Sequence, residues 1–434
     1  MSAVLFSCLL LTAVPQVPDC ADVSSCRQAA VDAASRGEFE VFHDLAWRAA
    51  QKGRRNDPEL MALVARAQSL SGRPGDALVM LRRLADMGVS TDAATSDDFR
   101  RVRALSGWPE VEALLKDGSR STVSPPAAAS TVASPPAPAP TAGRPVEPAR
   151  AAAAADVAVA GTPSFEEESL PLPLASIEPA GLAHDAVSRR FIVGDRRQNK
   201  LVIFDEVFKR ATDMVGADSG GFFGLTAIEI DPLRGDLWVA NSSAVRGASL
   251  HKLQLVSGRV LFELAVPPAL GPATLVDIAA LADGQVLMLD GAGRRLLGVS
   301  AAGRAVERVA AIDVEGATSL ASGPGRVVYV AHRDGVLRVD TSARTASPVR
   351  GAPEGLQRIR VHGRALVAVQ SHSGAQRVVR LRLDGPGRRV IGIDVLDESA
   401  AMPDPSAMTI AGGTVYYITT TTGAPMMRRL KLGK

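Results

Sequence analysis

Phe191-Ile-Val-Gly194 is a short apolar run closed by a polar residue, Asp195, and it has five counterparts further along the chain. They are Leu237-Trp-Val-Ala240, Val286-Leu-Met-Leu289, Val328-Tyr-Val-Ala331, Leu366-Val-Ala-Val369 and Tyr416-Tyr-Ile-Thr419. Each is rich in β-formers and apolar at successive positions, the pattern of a strand buried on both faces. The residues that close them are Asp195, Asn241, Asp290, His332, Gln370 and Thr420, spaced by 46, 49, 42, 38 and 50 positions. A period of about 45 residues with several strands per unit marks a β-propeller. The count gives six blades.

The flanks of each run supply the rest of a blade. Upstream lie strands such as Gly181-Leu-Ala-His184, Leu225-Thr-Ala-Ile228 and Leu275-Val-Asp-Ile278; downstream come others such as Lys200-Leu-Val-Ile-Phe204 and Gly335-Val-Leu-Arg-Val339. Asp283-Gly284 and Asp334-Gly335 are hairpin turns. The last blade has only one further strand, Met426 to Leu432, before the chain stops. Its outer strand is expected from Ser169-Leu-Pro-Leu-Pro-Leu174, just ahead of the first blade. Such sharing closes the ring, and the prolines suit an outer edge where a missing N–H costs little.

Residues 20–117 read as helical, with apolar positions at helical spacing in Leu60, Leu63, Val64 and Ala67 and again in Leu78, Leu81, Leu84 and Ala85. Asp57-Pro58-Glu59 is a helix start, an Asp cap followed by Pro at the first helical position. Gly37, Gly53, Gly72 and Gly88 repeat with a period of 35, and Ala50 and Ala85 hold the same place relative to them. A helix pair recurring at that period resembles the tetratricopeptide repeat. Phe99, Val102, Leu105, Trp108, Val111 and Leu114 are expected to pack back as a cap. Two functions stay open for this part, a peptide-binding groove or a small bundle with no ligand.

Between the two lies a change of composition. Eight of the twenty-four residues from Pro125 to Pro148 are proline, and most of the others are Ala, Ser or Thr. Such a stretch cannot bury enough apolar surface to offset its ordering entropy. It reads as a tether that lets the helical part sample positions rather than dock. The boundaries are a signal peptide over 1–19, the helical domain over 20–117, a disordered Pro/Ala-rich linker over 118–164 and the propeller over 165–434. The fold class is mainly β, with a small all-α domain in front.

Met1 to Val14 is apolar and of signal length, with Ser7 and Ala13 small and Pro15 and Pro18 behind it. No Lys or Arg precedes Arg27, so the basic leader is missing. Export to the periplasm or medium is one expectation; a buried first helix is the other. Cys8 would leave with the signal, and Cys20 and Cys26 remain as one disulfide or two free thiols. The net charge of +3 is too weak to argue for nucleic acid or a membrane surface. With 46% hydrophobic and 22% charged residues, wholesale disorder is excluded. No apolar run beyond the N-terminus reaches the ~18 residues of a membrane span.

Glu178-Pro-Ala-Gly-Leu-Ala-His-Asp185, followed by Arg189-Arg-Phe-Ile-Val-Gly-Asp195, resembles blades of regucalcin/gluconolactonase-like and NHL-repeat propellers. The resemblance covers about 260 residues and rests on phrases common to such blades. It implies a divalent metal at the channel mouth, held by a first-blade Glu and by Asn and Asp of later blades, that polarises a lactone carbonyl and activates water. Glu178 stands at the first-blade position. The Asn-Gly-Leu and Asp-Gly-Leu phrases expected in later blades are absent. Acids at blade starts (Glu178, Glu315, Glu354 and Asp404) offer oxygen ligands to Ca²⁺, Mn²⁺ or Zn²⁺ if they converge. An acid before Gly or Pro is equally ordinary turn chemistry.

The strand-end set Asp195, Asn241, Asp290, His332, Gln370 and Thr420 reads first as turn-capping residues. His184, His251, His332, His362 and His372 are scattered without ligand spacing, and no Gly-x-Ser-x-Gly elbow occurs. No catalytic residue is assigned. Two functions follow. One is an exported, non-catalytic monomer that binds a protein or small ligand at a propeller face, with no nucleic acid and no membrane span. The alternative is a divalent-metal-dependent lactonase-like hydrolase using Glu178, Glu354 and Asp404.

Overall fold

A computed structural model describes residues 20–54, 56–120, 167–172, 177–205, 210–231, 233–300, 303–398, 402, 404–421 and 424–433. The expected signal peptide and all but the first three residues of the expected linker lie outside the described residues.

The N-terminal part is helical: α1 (Val23–Ser35), α2 (Phe39–Lys52), α3 (Pro58–Leu70), α4 (Pro74–Asp86), a short α5 (Arg100–Arg103) and α6 (Trp108–Arg120). Asp22 and Ser25 cap α1 reciprocally, Asp57 caps α3, and Pro58 and Pro74 open α3 and α4. The recurring glycines have a local cause. Gly37, Gly72 and Gly88 follow α1, α3 and α4 at φ of 74°, 82° and 72°, the left-handed conformation that ends a helix. Gly53 is different: its backbone is extended, and a Cβ there would overlap Leu60 Cδ1. Helices α1 and α2 pack together, as do α3 and α4, around Phe42, Leu45, Trp47, Val64 and Leu81. Nothing beyond this pairing connects them to the tetratricopeptide repeat. Cys20 and Cys26 are joined as a disulfide.

The propeller begins with a strand that belongs to its end, β1 (Glu167–Pro171). Blade one is β2 (Pro179–Asp185), β3 (Arg190–Asp195), β4 (Lys200–Asp205) and β5 (Ala211–Val215). Blade two is β6 (Leu225–Asp231), β7 (Asp236–Ser243), β8 (Gly247–Gln254) and β9 (Val260–Ala265), and blade three is β10 (Leu275–Ala280), β11 (Val286–Asp290), β12 (Arg295–Val299) and β13 (Val306–Ala311). Blade four is β14 (Ser319–Ser322), β15 (Val327–His332), β16 (Gly335–Asp340) and β17 (Thr345–Pro348). Blade five is β18 (Leu356–His362), β19 (Ala365–His372), β20 (Ala375–Leu383) and β21 (Val390–Asp397). Blade six is β22 (Met408–Ala411), β23 (Thr414–Thr421) and β24 (Ala424–Lys431), completed by β1 in register from Glu167↔Leu430 to Pro171↔Met426.

The molecule therefore carries a six-bladed propeller closed by a strand borrowed from its own N-terminal side. The six apolar runs are the second strands of the blades, wholly buried in β3 and β11, because each lies between the faces of two neighbouring blades. The fourth strands are the wet edge; all four residues of β17 are exposed.

One expectation is overturned. The helical part does not hang free but is docked on the β2–β3, β6–β7 and β8–β9 turns of blades one and two. A single apolar cluster runs from Trp47, Leu81 and Leu84 into Val187, Leu237, Leu253 and Val256. Asp76 accepts a hydrogen bond of 2.8 Å from the Ser257 amide, and Arg73 Nη2 lies 3.8 Å from Asp236. The linker's composition describes the linker alone; the surfaces it joins are made of turn backbone and glycine, which carry no periodic signal. Among the described residues no helix is long and apolar enough to cross a membrane.

Candidate functional site

Each blade must bring the chain from its neighbour's outer edge to the innermost strand, and the polar residue that closes the second strand organises this step. Asp195 Oδ1 accepts from the Glu178 amide at 3.4 Å and the Arg197 amide at 3.1 Å. Asn241 Oδ1 accepts from the Phe223 amide, and Asp290 Oδ1 from the Thr274 and Gly293 amides. Gln370 donates to the Glu354 carbonyl at 2.8 Å, while His332 Nδ1 accepts from the Asp334 amide. These five are buried. Thr420 pairs through β23 with Pro425, and its side chain lies outside the described ones.

Four of the incoming loops are held in this way, the six innermost strands start at one end of the channel, and a cavity of about 660 Å³ opens there. Every blade contributes to its wall. Thr226, Ser242, Ser243, Thr274, Thr318 and Ser406 bring hydroxyls, and Arg196, Arg358 and Asp404 bring charge. Arg196 Nη1 meets Asp404 Oδ2 at 3.0 Å, tying the first blade to the sixth across the rim. Asp404 Oδ1 also accepts from the Ser406 amide at 2.7 Å, and Ser406 Oγ accepts from the Gly181 amide at 2.9 Å. The helical domain sits on turns at the other end of the strands, away from this cavity.

Below the rim the channel holds a buried ionic cluster. Asp277 of β10 receives Arg358 Nη1 of β18 at 2.5 Å, the Ser319 hydroxyl at 2.8 Å and the Leu320 amide at 2.8 Å. Arg360, two residues along the same strand, reaches 3.6 Å from Asp277 and 3.4 Å from Glu229 of β6. Burial alone would raise the Asp277 carboxyl, but the two guanidiniums outweigh it and hold it below the ordinary carboxylate range. Burial pushes the Glu229 carboxyl up, against the pull of Arg360 and Arg358.

No protein-family model matches the chain, and no curated protein matches it. Solved structures do. A gluconolactonase from Xanthomonas campestris is 14% identical over 61% of this chain and 89% of its own, with a TM-score of 0.46. A virginiamycin B lyase from Staphylococcus aureus is 13% identical over 62% of this chain and 100% of its own, at 0.42. A luciferin-regenerating enzyme is 14% identical over 61% of this chain and 95% of its own, also at 0.42. At such identities the likeness concerns the propeller alone.

The acids proposed from sequence are placed as follows. Asp404 lines the cavity and faces Arg196. Glu178 is exposed at the start of blade one, and its carbonyl accepts from the Arg196 amide. Glu315 is exposed and ion-paired to Arg294, and Glu354 is exposed with its carbonyl held by Gln370. Among the described residues no group of three or more His, Cys, Asp or Glu side chains is placed to hold a metal ion. As they stand, the four acids do not form a ligand set. The residues that sequence reasoning missed are basic ones, Arg196, Arg358 and Arg360. A signal was available: Arg358 and Arg360 stand two apart in a strand and so share one face, as a charged stripe in an innermost strand otherwise built to be buried.

Proposed function

We infer that the propeller binds a small, polar, hydroxyl-bearing molecule in the cavity at its channel mouth. The observation that carries this reading is the wall itself: six hydroxyl side chains, two guanidiniums and one carboxylate, drawn from all six blades, converge on a space of ligand size. Hydroxyls of a ligand would exchange bonds with Thr and Ser, and the Arg196–Asp404 pair offers a donor and an acceptor side by side. The helical domain is the fixed base of this receptor, not its lid.

A second reading, hydrolysis of a lactone, is favoured by one feature of the same wall. A carboxylate, Asp404, stands beside one guanidinium, Arg196; the first could take a proton from water while the second polarises a carbonyl. The Cys20–Cys26 disulfide supports an oxidising compartment, periplasmic or secreted, for either activity.

The experiment is a calorimetric and thermal-shift screen of the full chain against polyols, sugars, sugar acids and their lactones. Acid release from the lactones is followed in parallel, with and without added Ca²⁺, Mn²⁺ or Zn²⁺. Saturable binding that is abolished in Thr274→Trp, which fills the cavity, supports the first reading. Acid release lost in Asp404→Asn supports the second. Binding that survives Thr274→Trp removes this cavity from consideration.

A further inference from the structure

Arg358 is the unusual member of the cavity wall. It is 1% exposed, and its guanidinium is anchored at one nitrogen only, Nη1, by Asp277. Its Nε and Nη2 are buried and have no hydrogen-bond partner. These two nitrogens form one edge of the planar guanidinium, with two N–H bonds pointing in parallel from the side away from Nη1. Proteins seldom leave such donors bare, because a buried donor without an acceptor forfeits the bonds it made to water. The charges of the cluster match two for two, Asp277 and Glu229 against Arg358 and Arg360, so what is left over is the bare edge and not a net charge. Asp277 serves Arg358 at 2.5 Å and Arg360 at 3.6 Å, so one carboxylate is divided between two cations. Glu229 is committed to Arg360, and Arg196 and Asp404 are committed to each other.

Resting on the reading of the cavity as a small-molecule site, we propose that its ligand carries a carboxylate, and that the free Nε–Nη2 edge of Arg358 receives that carboxylate in a two-bond fork. The fit is geometric. Two parallel N–H donors match the two oxygens of a carboxylate, which is the strongest pairing a guanidinium makes. One free edge suits a carboxylate monoanion better than a phosphate dianion, whose charge calls for a second free guanidinium. Asp277 holds the receiving edge in place, as a positioning residue that touches Arg358 and not the ligand. The hydroxyl-bearing wall above and the fork below then describe one class of compound, a small hydroxy acid. A lactone is the internal ester of such an acid, so the same floor would hold the product of the second reading.

The test uses the full chain and a matched panel: glycolate, tartrate, D-gluconate and D-glucuronate, each beside its neutral amide. Calorimetry is expected to find each acid that binds at least tenfold tighter than its amide. Arg358→Lys, which keeps the charge and loses the fork, should take away most of the acids' advantage over their amides. Should that variant fold poorly, the wild type alone decides through ¹⁵N spectra: the Arg358 Nε resonance should move with the acids and stay still with the amides. Acids and amides binding alike, with no movement of the Nε signal, would mean that water satisfies the edge. That result overturns the carboxylate assignment and leaves the binding site standing. If no member of the panel binds, both the assignment and the reading beneath it fall.

Discussion

Arg83 of α4 donates from Nη1 to the backbone carbonyl of Ser188, 105 residues further on, in the β2–β3 turn of the first blade. Its guanidinium also lies 3.6 Å from Asp205 at the end of β4, with the Arg83 side chain 9% exposed. The bond crosses from one folded part to the other, and it is made to a main-chain oxygen that any turn would offer. The helical domain and the propeller should therefore unfold together. Arg83→Ala removes the donor to the Ser188 carbonyl in a closed interface, a loss of about 1–3 kcal/mol. Urea denaturation should show one transition for the wild type and a separated, earlier helical transition for the variant. Two transitions in the wild type would contradict the docked arrangement.

Trp47 and Gly235 make a second such junction. Trp47 is 1% exposed, and Gly235 stands at φ 64° in the β6–β7 turn with its Cα against the indole. A Cβ at Gly235 would come 2.6 Å from Trp47 Cε2, and the left-handed backbone adds its own penalty for any other residue. Gly235→Ala should cost about 2–4 kcal/mol from strain and overpacking together. Trp47 reports the event directly, because its emission should shift to the red as the indole is levered into water. An unchanged spectrum would place Trp47 elsewhere.

The propeller was legible because burial on both faces leaves an unbroken apolar run, and six of these at a steady interval fit few folds besides a ring of blades. The borrowed strand was legible for the same kind of reason, since counting strands left the last blade one short. Arg83–Ser188 and Trp47–Gly235 were not, because one partner in each is a main-chain atom or a missing side chain. The ionic cluster escaped for a different reason. Asp277 and Arg358 are 81 residues apart, and only ring closure brings their blades' inner strands together around one channel. The acids at blade starts stand out as ligand candidates by their place in the blade repeat, although an acid before Gly or Pro is equally turn chemistry. Asp404 and Glu315 pair with arginines instead, and at Glu178 and Glu354 it is the backbone carbonyl that is held.

Closure of the ring makes a prediction of its own. β1 adds five paired residues to β24, and without it β24 becomes an open edge with unpaired N–H and C=O groups. Deleting 167–171 should cost roughly 5 kcal/mol, on the order of one per lost pairing. It should also produce concentration-dependent association through the bared edge, visible in sedimentation velocity at the micromolar scale. A variant that stays monomeric with an unchanged urea midpoint would show that blade six does not need the strand.

Asp76 gives the interface a pH dependence whose sign differs from that of a usual salt-bridged carboxylate. It is buried between α4 and the β8–β9 turn, and burial raises its carboxyl to about 6, against the hydrogen bonds from Ser257 and the charges of Arg73 and Arg190. In the unfolded chain its value is 3.8. The folded state thus binds the proton more tightly, so this group's contribution is full below pH 4 and is lost as pH rises through about 6. Two units correspond to about 3 kcal/mol. Asp44 and Asp231, also raised to about 6 by burial, act in the same direction. His43, lowered to about 3 chiefly by burial, acts in the opposite one and loses its contribution as pH falls from 6.5. These terms overlap in the wild-type curve, so the difference from Asp76→Asn is the quantity to measure, because the amide keeps an acceptor for the Ser257 amide and cannot titrate. The stability of the wild type relative to Asp76→Asn should fall by about 2 kcal/mol between pH 4 and pH 7 in urea titrations. A flat difference, or one of the opposite slope, would mean that Asp76 keeps its charge in the docked interface at every pH in that range.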